Sequence, residues 1–510
     1  MTADARRATL VSLCHFPSSP NQSINRYASQ SSVDEAPQLL FDKIPATTAV
    51  IVDDCLYVMV SIRTLAKPTT SLTYSTSSSL VKKPELLDIN IHGSKDTAKI
   101  IDLHNKVIMN TYARVPNLVM DHGKNAHLYD VKGDRYIDFT AGIAVNALGH
   151  ADEEVLRVMT EQGAKLTHIS NVYFNAPAIE LAQKLIAYSS FDKCFFANSG
   201  TEANEGALKF ARRHGLSKNP NKINVIAFTH GFSGRSMGAL SCTHKSKYRE
   251  IYGPLVPGIA FADYNNIDSV RELISDNTCA VLIEPVQGEG GLEAARPDFM
   301  QDLEKLCREH DALLIVDEVQ CGVGRTGRLW AHERLGVQPD IMTLAKPLAN
   351  GLPIGAILVR EHVAQVIGQG DHGTTYGGGP LVCAVANNVF GRIANEDFLR
   401  EVRVKGARIV TRLTQISKSS HGQPIIDIRT TGGLFVGVEF DHPVKELIAF
   451  ANTHHKVLFI SAGDNTIRLC PSLTVPQEDI DIAIDAIEAY LKSKEKSNHN
   501  KSIDYIIYFE

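Results

Sequence analysis

The chain predicts an α/β fold: a large domain on a mostly parallel sheet, followed by a smaller α+β domain. Three observations predict it. Leu313–Val316 and Ile341–Leu344 are apolar runs too short for helices, and unbroken apolar runs mark strands buried on both faces. Further short apolar runs alternate with helical patterns up to about residue 390, the order of a parallel sheet with crossovers. From about Asp397 the pattern changes to one long amphipathic helix, several strands and a last helix. The first two runs also deliver chemistry, because Asp317 directly follows one and Lys346 lies just past the other. Ligands of open α/β sheets sit outside the carboxyl ends of the strands. A carboxylate and an amine are therefore expected at one crevice.

Composition excludes several classes. The 510 residues are 44% apolar and 21% charged, which suits a globular chain of more than one domain. A net charge of −5 leaves no electrostatic footprint for nucleic acid. No uncharged apolar run approaches the roughly 18 residues of a membrane span. The nine cysteines are scattered, with no CxxC pair, which argues against a disulfide framework and against a zinc site, and no metal is expected.

Residues 1–95 are rich in Ser, Thr and Pro and are expected to form no packed core. Within them, Met59 to Pro84 carries Arg63, Lys67, Lys82, Lys83 and many hydroxyl residues but no acid. That is the composition of a mitochondrial transit peptide, which predicts a start at Met59 and delivery to the mitochondrial matrix. Residues 1–58 contain acids and fit that role poorly.

Ordered sequence is expected from about Ile100. Leu128–Asp130 and Tyr136–Phe139, separated by Lys132-Gly133-Asp134, read as a hairpin. Helical patterns follow near Glu153–Gln162 and Ala178–Ala187, then a strand at Cys194–Ala197. That strand leads through Asn198-Ser199-Gly200-Thr201 into a helix reaching about His214. A small-residue turn opening a helix offers free N–H groups and the positive end of a dipole to an anion. Strands are predicted at Val225–Phe228, Ala280–Ile283 and Ile354–Val359, and a glycine-rich loop, His372–Pro380, opens another helix. The smaller domain has a helix from about Asp397 to Ser417, strands at Gly433–Phe440, Val457–Ser461 and Thr466–Cys470, and a helix over Gln477–Leu491. Residues 493–510 read as an appended tail.

From about residue 100 to residue 492, six segments in this order resemble one family: GIAVNALGH, NSGTEANEGALKFAR, EPVQGEGG, DEVQCGVGRTG, LAKPLANGLPIGA and HGTTYGGGPL. They resemble the class III pyridoxal-phosphate aminotransferases, which act on ω-amines. The resemblance implies a fold type I α/β enzyme, pyridoxal 5'-phosphate as cofactor, and a homodimer with active sites at the subunit boundary. It divides the chain into the leader (1–95), an N-terminal segment joining the small domain (96–155), a large cofactor-binding domain (156–390), a C-terminal small domain (391–492) and the tail.

The roles that follow are implied by the resemblance. Lys346 would bond to the cofactor's aldehyde carbon and, once displaced, act as the base. Asp317 would face the pyridine nitrogen and keep it protonated. Gly200 and Thr201 would hold the phosphate, joined by Thr375 from the neighbouring subunit. Val319 and Phe232 would cover the two ring faces, with Gln320 near the ring oxygen. Arg235 and Arg468 would clamp substrate carboxylates, Glu289 would gate Arg468, and Thr374 would touch substrate. Ser233, Pro347 and Gly379 differ from the residues common in the family. The implied donor is N2-acetylornithine and the acceptor 2-oxoglutarate, giving glutamate; ornithine and 4-aminobutyrate are alternative donors. Ile143 stands where ornithine-specific members have a tyrosine.

Two other readings compete. Gly322-Val323-Gly324-Arg325-Thr326-Gly327 matches the G-x-G-x-x-G of nicotinamide-dependent dehydrogenases. That fingerprint should follow its strand at once and open a helix, whereas Asp317–Cys321 intervene here. A non-catalytic relative is the second, and the presence of Lys346, Asp317 and both arginines argues against it.

Overall fold

A computed structural model describes residues 47–52, 55–60 and 91–507. The chain divides into two units, residues 1–89 and 90–510. In the first, Thr47–Val52 and Cys55–Val60 pair as an antiparallel hairpin, where the leader's composition predicts no element; both runs are rich in β-branched and apolar residues. Beyond Val60, the acid-free run to Pro84 lies outside the described residues.

The second unit is built on a seven-stranded sheet. Its order across the sheet is Lys193–Ala197, Gly355–Val359, Ile341–Leu344, Leu313–Asp317, Thr278–Ile283, Asn224–Phe228 and Ile259–Ala262. Gly355–Val359 runs against both its neighbours, and the other pairings are parallel. The central strands are buried at every residue. Their side chains alternate between two cores: Leu313 and Ile315 pack with Ala207, Phe210 and Ala211 of the helix Gly200–Lys218, and Leu314 and Val316 with Phe299, Met300 and Leu303 of Pro297–Glu309. Burial on both faces is why these strands read as unbroken apolar runs.

Sheet register places the two ionisable residues. Asp317 lies opposite Thr343 in the parallel pair, so the chain that leaves Leu344 brings Lys346 to the same edge.

Two smaller four-stranded sheets, and a short antiparallel pair of Val286–Gln287 with Glu293–Ala294, complete the unit's sheets among the described residues. One is antiparallel: Ile425–Thr430, Val436–Phe440, Thr466–Leu469, Ile460–Ala462. The other joins Met120–Lys124, His127–Asp130 and Arg135–Asp138 to Val457–Leu458. The strand predicted over Val457–Ser461 is thus two strands in different sheets. The break falls at Phe459, buried edge-on to Phe139 with ring centroids 5.8 Å apart.

Ile425–Thr430 and Ile259–Ala262 were not legible. The first carries a bulge and leaves Ile426 63% exposed, and both are edge strands with one unpaired side. The last helix runs from Gln477 to Ile507 and takes in residues expected as a tail. Among the described residues no helix is long and apolar enough to cross a membrane.

Candidate active site

Three carboxyl ends of adjacent strands meet here, bearing Glu284, Asp317 and, past Leu344, Lys346. Asp317 is 4% exposed. Its Oδ2 accepts from Asn204 Nδ2 at 2.7 Å and its Oδ1 from the Val319 N–H at 2.9 Å. Burial pushes the Asp317 carboxyl up, and the Val319 and Asn204 hydrogen bonds and the Lys346 amine oppose the rise. Burial drives the Lys346 amine below its ordinary range, with Asp317 opposing. A lysine of lowered pKa is a usable nucleophile and base near neutrality.

Asn204 is the hub of the floor. Its Nδ2 also donates to the Ser233 carbonyl at 2.7 Å, and its Oδ1 accepts from Thr343 Oγ1 at 2.8 Å. Its amide orientation is thereby set, and one side chain ties a helix, a loop and two strands together.

The helix Gly200–Lys218 begins because Ser199 caps it, its hydroxyl accepting from the Glu202 N–H at 3.2 Å. Gly200 is required there: a Cβ would stand 2.5 Å from Val319 Cγ1. Thr201 Oγ1 accepts from the Arg235 N–H at 3.1 Å and lies 3.0 Å from Ser236 Oγ. The helix start is thus bound to the loop that carries Phe232. The Arg235 guanidinium carbon sits 3.5 Å from the Tyr248 ring centroid and 5.8 Å from that of Phe232, held by aromatic faces.

Arg468, on the strand Thr466–Leu469, is 3% exposed. Its Nη1 donates to Gln320 Oε1 at 3.2 Å, and its Nη2 to Glu289 Oε2 at 3.1 Å and to the Ser461 carbonyl at 3.0 Å. A cavity of about 600 Å³ opens beside it, lined by Phe232, His244, Tyr248, Glu289 and Arg429 among others.

The structure therefore gathers Lys346, Asp317, Val319, Gln320, Gly200, Thr201, Phe232, Arg235, Glu289 and Arg468. It does not bring Thr374 or Thr375 to that group within one chain. Both line a separate cavity with Ser170, Asn171 and Val172, and Thr374 Oγ1 accepts from Asn198 Nδ2 at 2.9 Å.

Sequence reasoning missed Glu284, Asn204, Thr343 and Tyr248. Glu284 had the same signal as Asp317, an acid directly after a buried apolar run. Asn204 lies inside a helix, where a polar residue reads as solvated; the segment NSGTEANEGALKFAR contains it, but no local pattern singles it out. Also missed was a left-handed turn. Ala141, Gly142, Ile143 and Ala144 all have φ between 44° and 64°, a conformation costly for non-glycine residues. Asp138 holds its entry, one oxygen accepting from the Thr140 and Ala141 N–H groups and the other facing His150 Nε2 at 2.8 Å.

Residues 108–491 match the family model described as aminotransferase class-III. A relative from Dictyostelium discoideum, "Probable acetylornithine aminotransferase, mitochondrial", is 59% identical over 411 residues, covering 79% of this chain and 90% of its own. "Acetylornithine aminotransferase, mitochondrial" of Saccharomyces cerevisiae is 44% identical over 397 residues, covering 75% and 93%. Among solved structures, the ornithine aminotransferase of Toxoplasma gondii superposes with a TM-score of 0.75 at 29% identity, covering 81% of this chain and 98% of its own. The N-acetylornithine aminotransferase of Stenotrophomonas maltophilia does so with a TM-score of 0.67 at 30% identity, covering 78% and 100%. On the match over residues 108–491 and these identities, the chain belongs to the class III aminotransferases, pyridoxal-phosphate-dependent transaminases of fold type I.

Proposed function

We propose that this transaminase moves the δ-amino group of N2-acetylornithine to 2-oxoglutarate, giving N-acetylglutamate 5-semialdehyde and glutamate. The observation that carries the reading is the Arg468–Glu289 pair in one constellation with Lys346 and Asp317. Such a pair suits a site that must accept two differently shaped substrates. The names of the relatives from Dictyostelium and yeast support the choice of donor.

The residues present fit the cofactor. A buried acid stands beside a desolvated lysine, a capped helix offers its N-terminus, and Gly200 leaves room only for Val319. Gln320 Nε2 and Arg468 Nε are buried polar atoms with no partner in the protein. When bound, pyridoxal phosphate supplies an aldehyde that takes up an amine and a ring that draws in electrons.

Lys346 Nζ would hold the cofactor through its aldehyde carbon and, when free, would serve as the base that moves a proton off the substrate carbon bearing the amine. Asp317 would keep the ring nitrogen protonated, its carboxylate aimed by Asn204. The N–H groups of Gly200 and Thr201 and the Thr201 hydroxyl would hold the phosphate. Val319 and Phe232 would cover the ring and exclude water, with Gln320 as the partner of its oxygen. Arg235, steadied by Tyr248, takes the distal carboxylate of the ω-amine donor, since its guanidinium matches a carboxylate bidentately. Glu289 neutralises Arg468 meanwhile, and releases it to the α-carboxylate of glutamate.

The enzyme works as a homodimer that brings Thr375 of one subunit to the phosphate of the other, with Thr374 near substrate. The apolar segment beside that threonine loop supports this, with Val172 79%, Tyr173 64% and Phe174 97% exposed in the single chain. Both relatives named above carry a mitochondrial label, which with the acid-free run after Met59 supports import into the matrix. N-terminal sequencing of the native protein tests that reading; a mature chain retaining residues 1–58 overturns it.

A donor panel with 2-oxoglutarate as acceptor tests the substrate. kcat/KM should be highest for N-acetylornithine, with ornithine and 4-aminobutyrate well below. Ornithine in first place would favour the reading suggested by the Toxoplasma structure.

A further inference from the structure

Glu284 does not figure in the steps above, yet it stands half-buried at the end of the strand Thr278–Ile283, next to the strand that ends in Asp317. Its two carboxylate oxygens serve two different loops. Oε1 accepts from the Phe232 N–H at 2.9 Å, and Oε2 from the Gly288 N–H at 3.1 Å. The first loop carries Phe232 and Arg235; the second carries Glu289.

Other hydrogen bonds already tie these loops to the floor and, at their base, to each other, where Gln287 Nε2 donates to the Thr229 carbonyl at 2.7 Å. Asp317 is bonded to Asn204, and Asn204 to the Ser233 carbonyl. Glu289 is bonded to Arg468, and Arg468 to Gln320, three residues from Asp317. Gly288 lies so close to Gln320 that a Cβ would stand 1.5 Å from its Oε1. Glu284 closes this circuit.

We propose that Glu284 is a positioning residue that locks the Phe232–Arg235 loop to the Glu289 loop, so that the aromatic cover, the distal clamp and the gate keep one spacing. The inference rests on the reading that Lys346 and Asp317 hold the cofactor and that Arg235 and Glu289 meet the substrate.

The chemistry of the group suits the task. A carboxyl here is pushed up to about 8 by burial and by the nearby charge of Asp317, while the two N–H donors pull it down. Proton or no proton, one oxygen faces each loop. A glutamine offers one acceptor and one donor, and its donor would face a backbone N–H. One loop must then let go, because a backbone donor shielded from water and left unpaired is unfavourable.

The test compares wild-type and Glu284→Gln holoenzymes by amide exchange of residues 229–236 and 285–291, by cofactor dissociation constant, and by both half-reactions. In the wild type the Phe232 and Gly288 amides should exchange as slowly as strand amides; loop-like exchange of both overturns the proposal even if the variant fails to fold. In the variant one loop should exchange about tenfold faster or more, the cofactor should bind several-fold more weakly, and the N-acetylornithine KM should rise about tenfold with a smaller change in kcat. A lowered Tm with unchanged exchange, cofactor affinity and KM would mean that Glu284 only supports the fold, and refutes it. Borohydride labelling of the wild type checks the underlying reading separately, since a label away from Lys346 fails that reading whatever the loops do.

Discussion

Arg468 reaches Glu289 through Nη2 at 3.1 Å, with a side chain 3% exposed against 32% for its partner. One charge is sealed in and the other stands at the wall of the cavity, so the carboxylate is the member able to swing. An unpaired Arg468 would attract the near carboxylate of any amino acid, and opposite charges in a desolvated site are worth several kcal/mol. Glu289→Gln should therefore slow the N-acetylornithine half-reaction far more than the glutamate half-reaction. Single-turnover rates for each half check this; equal losses would leave Glu289 a structural residue.

Lys346 is the expected point of cofactor attachment. Borohydride reduction and peptide mapping should place the phosphopyridoxyl group on Lys346. Lys346→Ala should retain the fold, because Asp317 keeps its hydrogen bonds from Asn204 and Val319, and lose about a thousandfold or more in turnover.

Asn204 donates to Asp317 and so holds its carboxyl down against burial. Asn204→Ala removes that donor, and the Asp317 pKa rises. Any rate that needs ionised Asp317 should then fall away at higher pH than in the wild type. The acid limb of the kcat profile is the measurement, and an unmoved limb would show that Asn204 does not tune Asp317.

Asp138 opposes its own burial through hydrogen bonds from His150 and Thr140, and its carboxyl lies below the ordinary value of 3.8. A carboxyl depressed on folding stabilises the protein above its unfolded pKa, and the contribution is lost as pH falls through the folded value. Asp138→Asn should lower Tm near neutrality, and the gap to wild type should close as the pH drops below about 4. A gap independent of pH would assign the loss to packing alone.

Ile143 offers no hydrogen bond to a free α-amine. A site built to bond a polar group rejects analogues lacking it strongly, while an apolar one discriminates weakly. Ile143→Tyr should thus raise kcat/KM for ornithine relative to N-acetylornithine. An unchanged ratio would remove Ile143 from the specificity argument.

The amino-acid order alone determined the α/β class, the central strands and the ends on which Asp317 and Lys346 stand. A strand buried on both faces must be apolar throughout, so Leu313–Val316 and Ile341–Leu344 announce themselves, and the acid or lysine that follows is conspicuous. The quoted segments carried the family for the same local reason, since each holds its signature within a few residues.

What only the tertiary structure decided are relations between distant positions. Asn204 meets Asp317 across 113 residues, Arg468 meets Glu289 across 179, and Glu284 joins two loops that local pattern does not connect. The division of Val457–Ser461 between two sheets, the edge strands and the left-handed turn at Ala141–Ala144 belong to this class too. Backbone strain and long-range hydrogen bonds are held by surrounding packing, and the residues that make them read locally as ordinary polar or apolar positions.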